Sequence, residues 1–166
     1  VNFSYPNVDF QGFPSTVELA DGTYVVAWSR RSDGSGTGIA GQRFAADGSP
    51  IGGHFAIATV SSANQLRPNV AALPGGGFLV SWESDQDGST WNIYQQRFDA
   101  AFNKVGGPVT VNTTIPYNQN YSQTTVLADG GWVVDWWSNG QDGSGWGVYQ
   151  QRFNASGTKV GGEERV

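Results

Sequence analysis

Apolar and polar residues alternate with period two at three places along the chain, at nearly equal intervals. Tyr24, Val26 and Trp28 fall on one side of an extended segment; Phe78, Val80 and Trp82 repeat the arrangement, and so do Trp132, Val134 and Trp136. Alternation of β-branched and aromatic residues with polar ones predicts strands with one buried face. A semi-polar strand precedes each segment, at residues 16–19, 70–73 and 124–127, across a glycine turn (Asp21-Gly22, Gly75-Gly76-Gly77, Asp129-Gly130-Gly131). Such turns need positive φ, which glycine adopts at little cost. A third strand places Ala40, Gln42 and Phe44 on one face, and Tyr94, Gln96, Phe98 and Tyr149, Gln151, Phe153 repeat that set. A loop carrying Gly-Gly (Gly52-Gly53, Gly106-Gly107, Gly161-Gly162) then leads to a short fourth strand around residues 55–57 and 109–111. No stretch has helical periodicity of useful length.

The chain is therefore three copies of one unit. Asp33-Gly34-Ser35 leads to Gln42-Arg43-Phe44, Asp87-Gly88-Ser89 to Gln96-Arg97-Phe98, and Asp142-Gly143-Ser144 to Gln151-Arg152-Phe153; the Asp-to-Phe spacing is 11 each time. A period of this length predicts a stacked or ring-like repeat architecture. The expected fold is all-β: one repeat domain over residues 1–166, with units at approximately 1–57, 58–111 and 112–166, each a four-stranded antiparallel blade of β-propeller type. Val1, Ile57, Val111 and Val166 are equivalent positions, so three whole periods are present. Propellers use about four to eight blades, so the expectation is half of a six-bladed ring formed by a dimer. A threefold β-prism is the alternative.

Composition narrows the function classes. Seven Trp, six Tyr and nine Phe supply ample apolar area against disorder. A net charge of −5 with few lysines argues against nucleic acid and other polyanions as partners. No cysteine is present, which removes disulfide and thiolate chemistry, and no apolar run is long enough for a helical membrane span. The single histidine, His54, gives zinc no ligand set.

Candidate chemistry gathers at one end of the predicted meander. The loops after the second strand, together with those entering the next unit, carry Asp33, Asp87, Asp142, Trp91, Trp146, Tyr5, Tyr117, Asn118, Asn120 and Tyr121. Sugars stack their apolar faces on aromatic rings while Asp, Asn and Gln take the hydroxyls. The candidate ligand-binding residues are Trp91, Trp137, Trp146, Asp87, Asp142, Tyr117, Tyr121, Gln96 and Gln151. Trp137 stands where the other units have Ser29 and Glu83, and Asp135 where they have Ala27 and Ser81. The repeated Trp28, Trp82 and Trp136 read as packing, the Asp-Gly-Ser aspartates equally as turn residues. Arg43, Arg97 and Arg152 read as partners of carboxylates or backbone carbonyls between blades. The Asp85-Gln86-Asp87-Gly88 and 139–143 loops offer oxygen ligands of the kind calcium takes, so calcium stays open as a cofactor. No acid/base pair recurs in a setting that argues for catalysis.

The motif around Leu127-Ala128-Asp129-Gly130-Gly131-Trp132-Val133-Val134 and Gln141-Asp142-Gly143-Ser144-Gly145 resembles tandem repeats of large secreted bacterial proteins, the RTX or haemolysin-type calcium-binding proteins and adhesins. That resemblance implies a secreted or cell-surface location. The calcium nonapeptide of those proteins is absent, so their metal sites do not carry over. Residues 84–91 come close to a sialidase-type Asp-box, with Gln86 at its defining Asp position. The function expected from these features is a non-catalytic carbohydrate-binding or adhesion module with glycan partners. The alternatives are a structural spacer without ligand and a glycoside-acting enzyme.

Overall fold

A computed structural model describes residues 10–31, 36–58, 63–88 and 90–166. Among these residues the fold is all-β, with twelve strands in three antiparallel four-stranded sheets. The first sheet contains β1 (Gln11–Glu18), β2 (Tyr24–Arg31), β3 (Thr37–Phe44) and β4 (Pro50–Ala56). The second contains β5 (Gln65–Ala72), β6 (Phe78–Ser84), β7 (Asn92–Phe98) and β8 (Lys104–Thr110). The third contains β9 (Gln119–Val126), β10 (Trp132–Asn139), β11 (Trp146–Phe153) and β12 (Lys159–Arg165). Each sheet is a meander in chain order, as the repeat predicts.

The aromatic residue opening the second strand pairs across the ladder with the Phe of Gln-Arg-Phe: Tyr24 with Phe44, Phe78 with Phe98, Trp132 with Phe153. The rings stack with centroids 5.2, 4.6 and 5.5 Å apart. Phe98 and Phe153 are buried with their partners, and these pairs anchor the packing between sheets.

The two faces of a sheet play different parts. One face of the second sheet (Phe78, Val80, Trp82, Tyr94, Phe98) packs on Val25, Ala27, Ile39 and Ile57 of the first. The corresponding face of the third (Trp132, Val134, Trp136, Tyr149, Phe153) packs on Leu79, Ile93 and Val111 of the second. The contact set is thus repeated from sheet one to two and from two to three, with β5 and β9 at the centre of it. A fan of successive blades explains that order; a prism, with its three sheets mutually packed, does not.

The repeated glutamines have a structural task. Each third strand faces a fourth strand in which the register slips, between Gly41 and Arg43, Gln95 and Arg97, and Gln150 and Arg152. The slip frees carbonyls at residues 51–52, 105–106 and 160–161. The side-chain amides of Gln42, Gln96 and Gln151 donate to them. Gly52, Gly106 and Gly161 take positive φ at these bulges.

The arginines divide. Arg43 pairs with Asp21 and Arg152 with Asp129, each within its own sheet. Gly75 stands where the second unit would have that aspartate, and Arg97 instead donates across the blades to the Ala155 carbonyl.

Candidate functional site

The first strand of each sheet is interrupted by a bulge at the same point of the repeat. The ladder slips between Gly12 and Ser15 and between Leu66 and Asn69, and again in β9 opposite Asp135 and Trp137. Phe13, Arg67 and Tyr121, spaced by 54 residues, take φ of 54°, 51° and 56°. Bulky side chains in this region are strained by about 1–3 kcal/mol each, and such strain concentrates at functional positions. Pro14 and Pro68 follow two of them, where a proline cannot extend the ladder.

The bulges aim three unlike side chains at one another. The Arg67 guanidinium lies 4.8 Å from the Phe13 ring centroid and 4.6 Å from that of Tyr121, sandwiched between them. Phe10 adjoins Phe13 at 6.0 Å. On the other side Trp137 lies 5.0 Å from Tyr121, and Trp146 lies 6.3 Å from Trp137. Five rings and one cation form an unbroken strip across all three sheets. Its rings are among the most exposed of the described residues: Phe13 42%, Tyr121 46%, Trp137 50% and Trp146 55%. A contiguous exposed apolar surface of this kind makes the strip the candidate site.

Glu83 holds the strip in place from beneath. It is 1% exposed. One carboxylate oxygen pairs with Arg67, and the other accepts from Asn120 Nδ2 at 3.1 Å and from the Tyr121 backbone N–H at 3.2 Å. The corresponding residue of the first sheet, Ser29, accepts from the Arg67 backbone N–H at 3.1 Å. The bulges at Arg67 and Tyr121 are thus each tied by a buried acceptor on the preceding blade. Trp137, at the same point of the third sheet, has no acceptor and presents its ring instead.

Of the residues the sequence singled out, the structure brings together Tyr121, Trp137 and Trp146. Tyr117 is exposed and its ring lies against Gly140, apart from the strip contacts. Trp91 is half-buried, and its backbone N–H donates to Asn118 Oδ1. Asp87 accepts from the Tyr94 hydroxyl at 2.6 Å and from Asn92 Nδ2 at 3.2 Å, closing its own hairpin. Burial and that hydrogen bond push the Tyr94 phenol up to about 12. Asp142 pairs with Arg165 at 2.9 Å and accepts from the Ser144 backbone N–H. Gln96 and Gln151 are 1% exposed and clamp the fourth-strand bulges rather than line a pocket. Asp33 and Tyr5 lie outside the described residues. Asp85 is committed to Asn64 by two hydrogen bonds, and no group of three or more metal-ligating side chains assembles among the described residues. Phe10, Phe13 and Arg67 were missed, although aligning the units at a spacing of 54 places Phe13, Arg67 and Tyr121 in one column.

Asp135 lies on the same face of β10 as Trp137, in a row with Gln123 and Gln150. Partial burial holds its carboxyl above the ordinary range. A folded-state pKa raised above the unfolded value of 3.8 means that stability is lost as pH rises from that value through the folded one. Asp135→Asn is therefore expected to raise Tm at pH 7 and to leave it nearly unchanged at pH 3. Thermal melts at the two pH values check this; equal shifts at both would refute it.

No family model and no curated protein sequence matches the chain. Solved structures do. An endo-arabinase from Bacteroides thetaiotaomicron matches with a TM-score of 0.62 at 17% identity, over 92% of this chain and 61% of that one. An α-L-arabinofuranosidase from Lactobacillus brevis matches with a TM-score of 0.60 at 12% identity, over 93% and 53%. An endo-1,4-β-xylanase from Bacteroides thetaiotaomicron matches with a TM-score of 0.56 at 16% identity, over 94% and 61%. This chain has a β-propeller-type fold. At these identities the likeness shows the fold alone, and the chain spans between half and two thirds of the length of each of these neighbours. The neighbours are glycoside-acting enzymes. That finding corrects the expectation of a non-catalytic carbohydrate-binding or adhesion module, and it removes the ground for reading the chain as not an enzyme. The aromatic loops alone had suggested a lectin, but rings that stack on sugars serve substrate positioning equally well.

Proposed function

We propose that this chain engages saccharides as part of a glycoside-acting propeller, with sugar rings lying along the Phe13–Arg67–Tyr121–Trp137 strip. The observation that carries the proposal is the continuity of that strip: exposed rings in series, fixed by strained bulges and a buried Glu83–Arg67 pair. A preorganised row of rings suits a ligand that is itself a row of rings with apolar faces, and fixing it before binding lowers the cost of association. Arg67 and Asn120 sit beside the rings as hydrogen-bond donors for hydroxyls. Glu83 has both oxygens occupied, so its part is to position Arg67. The names of the structural neighbours, which act on arabinose- and xylose-containing glycosides, support polysaccharides of pentoses as the first substrates to try.

The test is affinity electrophoresis in gels containing arabinan or xylan, run beside an assay for release of reducing ends. Retardation by at least one polysaccharide is expected, together with cleavage of the same polymer. Trp137→Ala is expected to weaken binding about tenfold, the scale of one lost ring contact plus its buried area. Migration unaffected by every polysaccharide, with no reducing ends released, overturns the proposal.

A further inference from the structure

The junction between the first and second sheets uses the same repeat positions as the junction between the second and third, but the two are filled differently. In the first junction the Arg43 guanidinium is enclosed. Asp21 pairs with it at 2.5 Å, and the Phe102 ring of the next sheet covers it, 4.6 Å from the centroid. Phe102 also packs on Phe55 and Phe78, with ring centroids 5.7 and 5.0 Å away. In the second junction three of these residues are replaced. Gly75 stands in the place of Asp21, Gly157 in that of Phe102 and Val109 in that of Phe55. The turn itself keeps its conformation, because Phe102 and Gly157 take φ of 66° and 88°.

A cavity of about 300 Å³ lies at this second junction. Leu73, Pro74, Phe98 and Trp132 form apolar walls, and Arg97 and Asp99 supply the charged groups. Apolar walls with a few placed polar groups are the composition of small-molecule sites, and this volume falls at the small end of their range. The Arg97 guanidinium is held in position. A Cβ at Gly157 would come within 3.0 Å of Arg97 Cζ, so the glycine gives the guanidinium its place against the turn. Arg97 Nη1 donates to the Ala155 carbonyl at 3.3 Å, and the Trp132 ring centroid lies 5.8 Å from Cζ. A carbonyl and a ring attract the guanidinium but do not cancel its charge. Among the described residues no carboxylate forms an ion pair with Arg97. Asp99 turns its oxygens into its own hairpin: Oδ1 accepts from the Ala101 and Asn103 backbone N–H groups at 2.9 and 2.8 Å, and Oδ2 from Asn103 Nδ2 at 3.0 Å.

We propose that this cavity binds a ligand carboxylate on Arg97, in the role that an aspartate of the chain fills beside Arg43 and beside Arg152. A guanidinium is a planar fork of N–H donors that matches the two oxygens of a carboxylate. Apolar walls around that fork exclude water from the pair and strengthen it. A uronic acid sugar supplies both a carboxylate for Arg97 and an apolar ring face for the walls; a simple monocarboxylate supplies the first alone. The cavity shares no residue with the exposed strip and binds independently of it.

Titration of sodium glucuronate into the isotope-labelled chain, followed by NMR at constant ionic strength, is the test. Saturable shifts of the Arg97 Nε–H and Trp132 Nε1–H signals are expected, and none from glucose, the neutral counterpart. Sodium acetate separates the two sources: binding weaker than that of glucuronate assigns a uronic acid, and equal binding assigns a simple monocarboxylate. Arg97→Gln, read at Trp132, is expected to weaken glucuronate binding about tenfold or more, the scale of a lost charge-assisted hydrogen bond. Arg97→Lys keeps the charge without the fork and is expected to fall between that variant and wild type. Arg43→Gln, at the junction already filled, is expected to leave binding unchanged, with the folding of each variant checked by circular dichroism. Shifts from glucose equal to those from glucuronate, no shift from either carboxylate, or undiminished binding in Arg97→Gln overturns the proposal.

Discussion

Glu83→Ala is expected to lower Tm by about 10 °C and to weaken saccharide binding well below the melting range. Removing one member of a buried ion pair costs about 3–5 kcal/mol, because the remaining charge is left without compensation. Arg67 keeps 29% exposure, so the lower end of that range applies. A domain of this size loses about 2–4 °C per kcal/mol. The effect on the site is separate from the effect on stability. Glu83 also accepts from Asn120 and from the Tyr121 backbone N–H, so its loss releases Arg67 and relaxes the Tyr121 bulge together. Glu83→Gln keeps the volume and an acceptor for Tyr121 but removes the charge that faces Arg67. It is expected to fall between wild type and alanine in both measurements. Differential scanning calorimetry with gel retardation checks this, and a Glu83→Ala variant melting within a degree or two of wild type contradicts it.

Trp136→Ala is expected to be the most damaging single substitution in the core. The side chain is fully buried in the contact between the second and third sheets. Truncating a buried tryptophan costs about 3–5 kcal/mol. Its Nε1 also donates to Gln119 Oε1 at 2.7 Å, and Gln119 is itself fully buried. Leaving that oxygen unpaired adds about 1–3 kcal/mol. Trp136→Phe restores most of the ring but not the donor, so the difference between the two variants isolates the packing of the ring, and the loss that Trp136→Phe itself shows is mainly that of the hydrogen bond. Urea melts of both check the order; Trp136→Phe as damaging as Trp136→Ala would show that the hydrogen bond, not the packing, dominates.

The strands and their three-fold recurrence could be read from the chain because each depends on local alternation and on turn residues that recur in place. Trp82 and Trp136 were legible as packing for the same reason. Trp137 and Trp146 stand out because they break the repeat and Tyr121 because it falls at the aromatic end of the meander, and all three lie in the strip. Phe13 and Arg67 were harder. Neither shares a residue type with Tyr121, and what unites them is a backbone conformation and a contact made across blades. Local sequence does not encode either one. The glutamines leave two readings open from sequence. Their recurrence fits either a pocket lining or interior hydrogen bonding, and the structure has the second: the recurring side chain answers a recurring backbone need, here the carbonyls freed at each bulge. The arginines are expected to pair with carboxylates or carbonyls between blades, but a nearby aspartate in the turn takes the ion pair of Arg43 and of Arg152. Arg97, which has glycine in that place, donates to the Ala155 carbonyl of the next blade, and Arg43 reaches the next blade through the Phe102 ring, 4.6 Å from its centroid.

The glutamine-clamped bulges also bear on solubility. β4, β8 and β12 each end a sheet, and a straight terminal strand offers a row of free amides and carbonyls on which another polypeptide can crystallise into a fibre. In all three, a glycine kink interrupts that row midway. The periphery of this molecule is therefore a poor seed for aggregation.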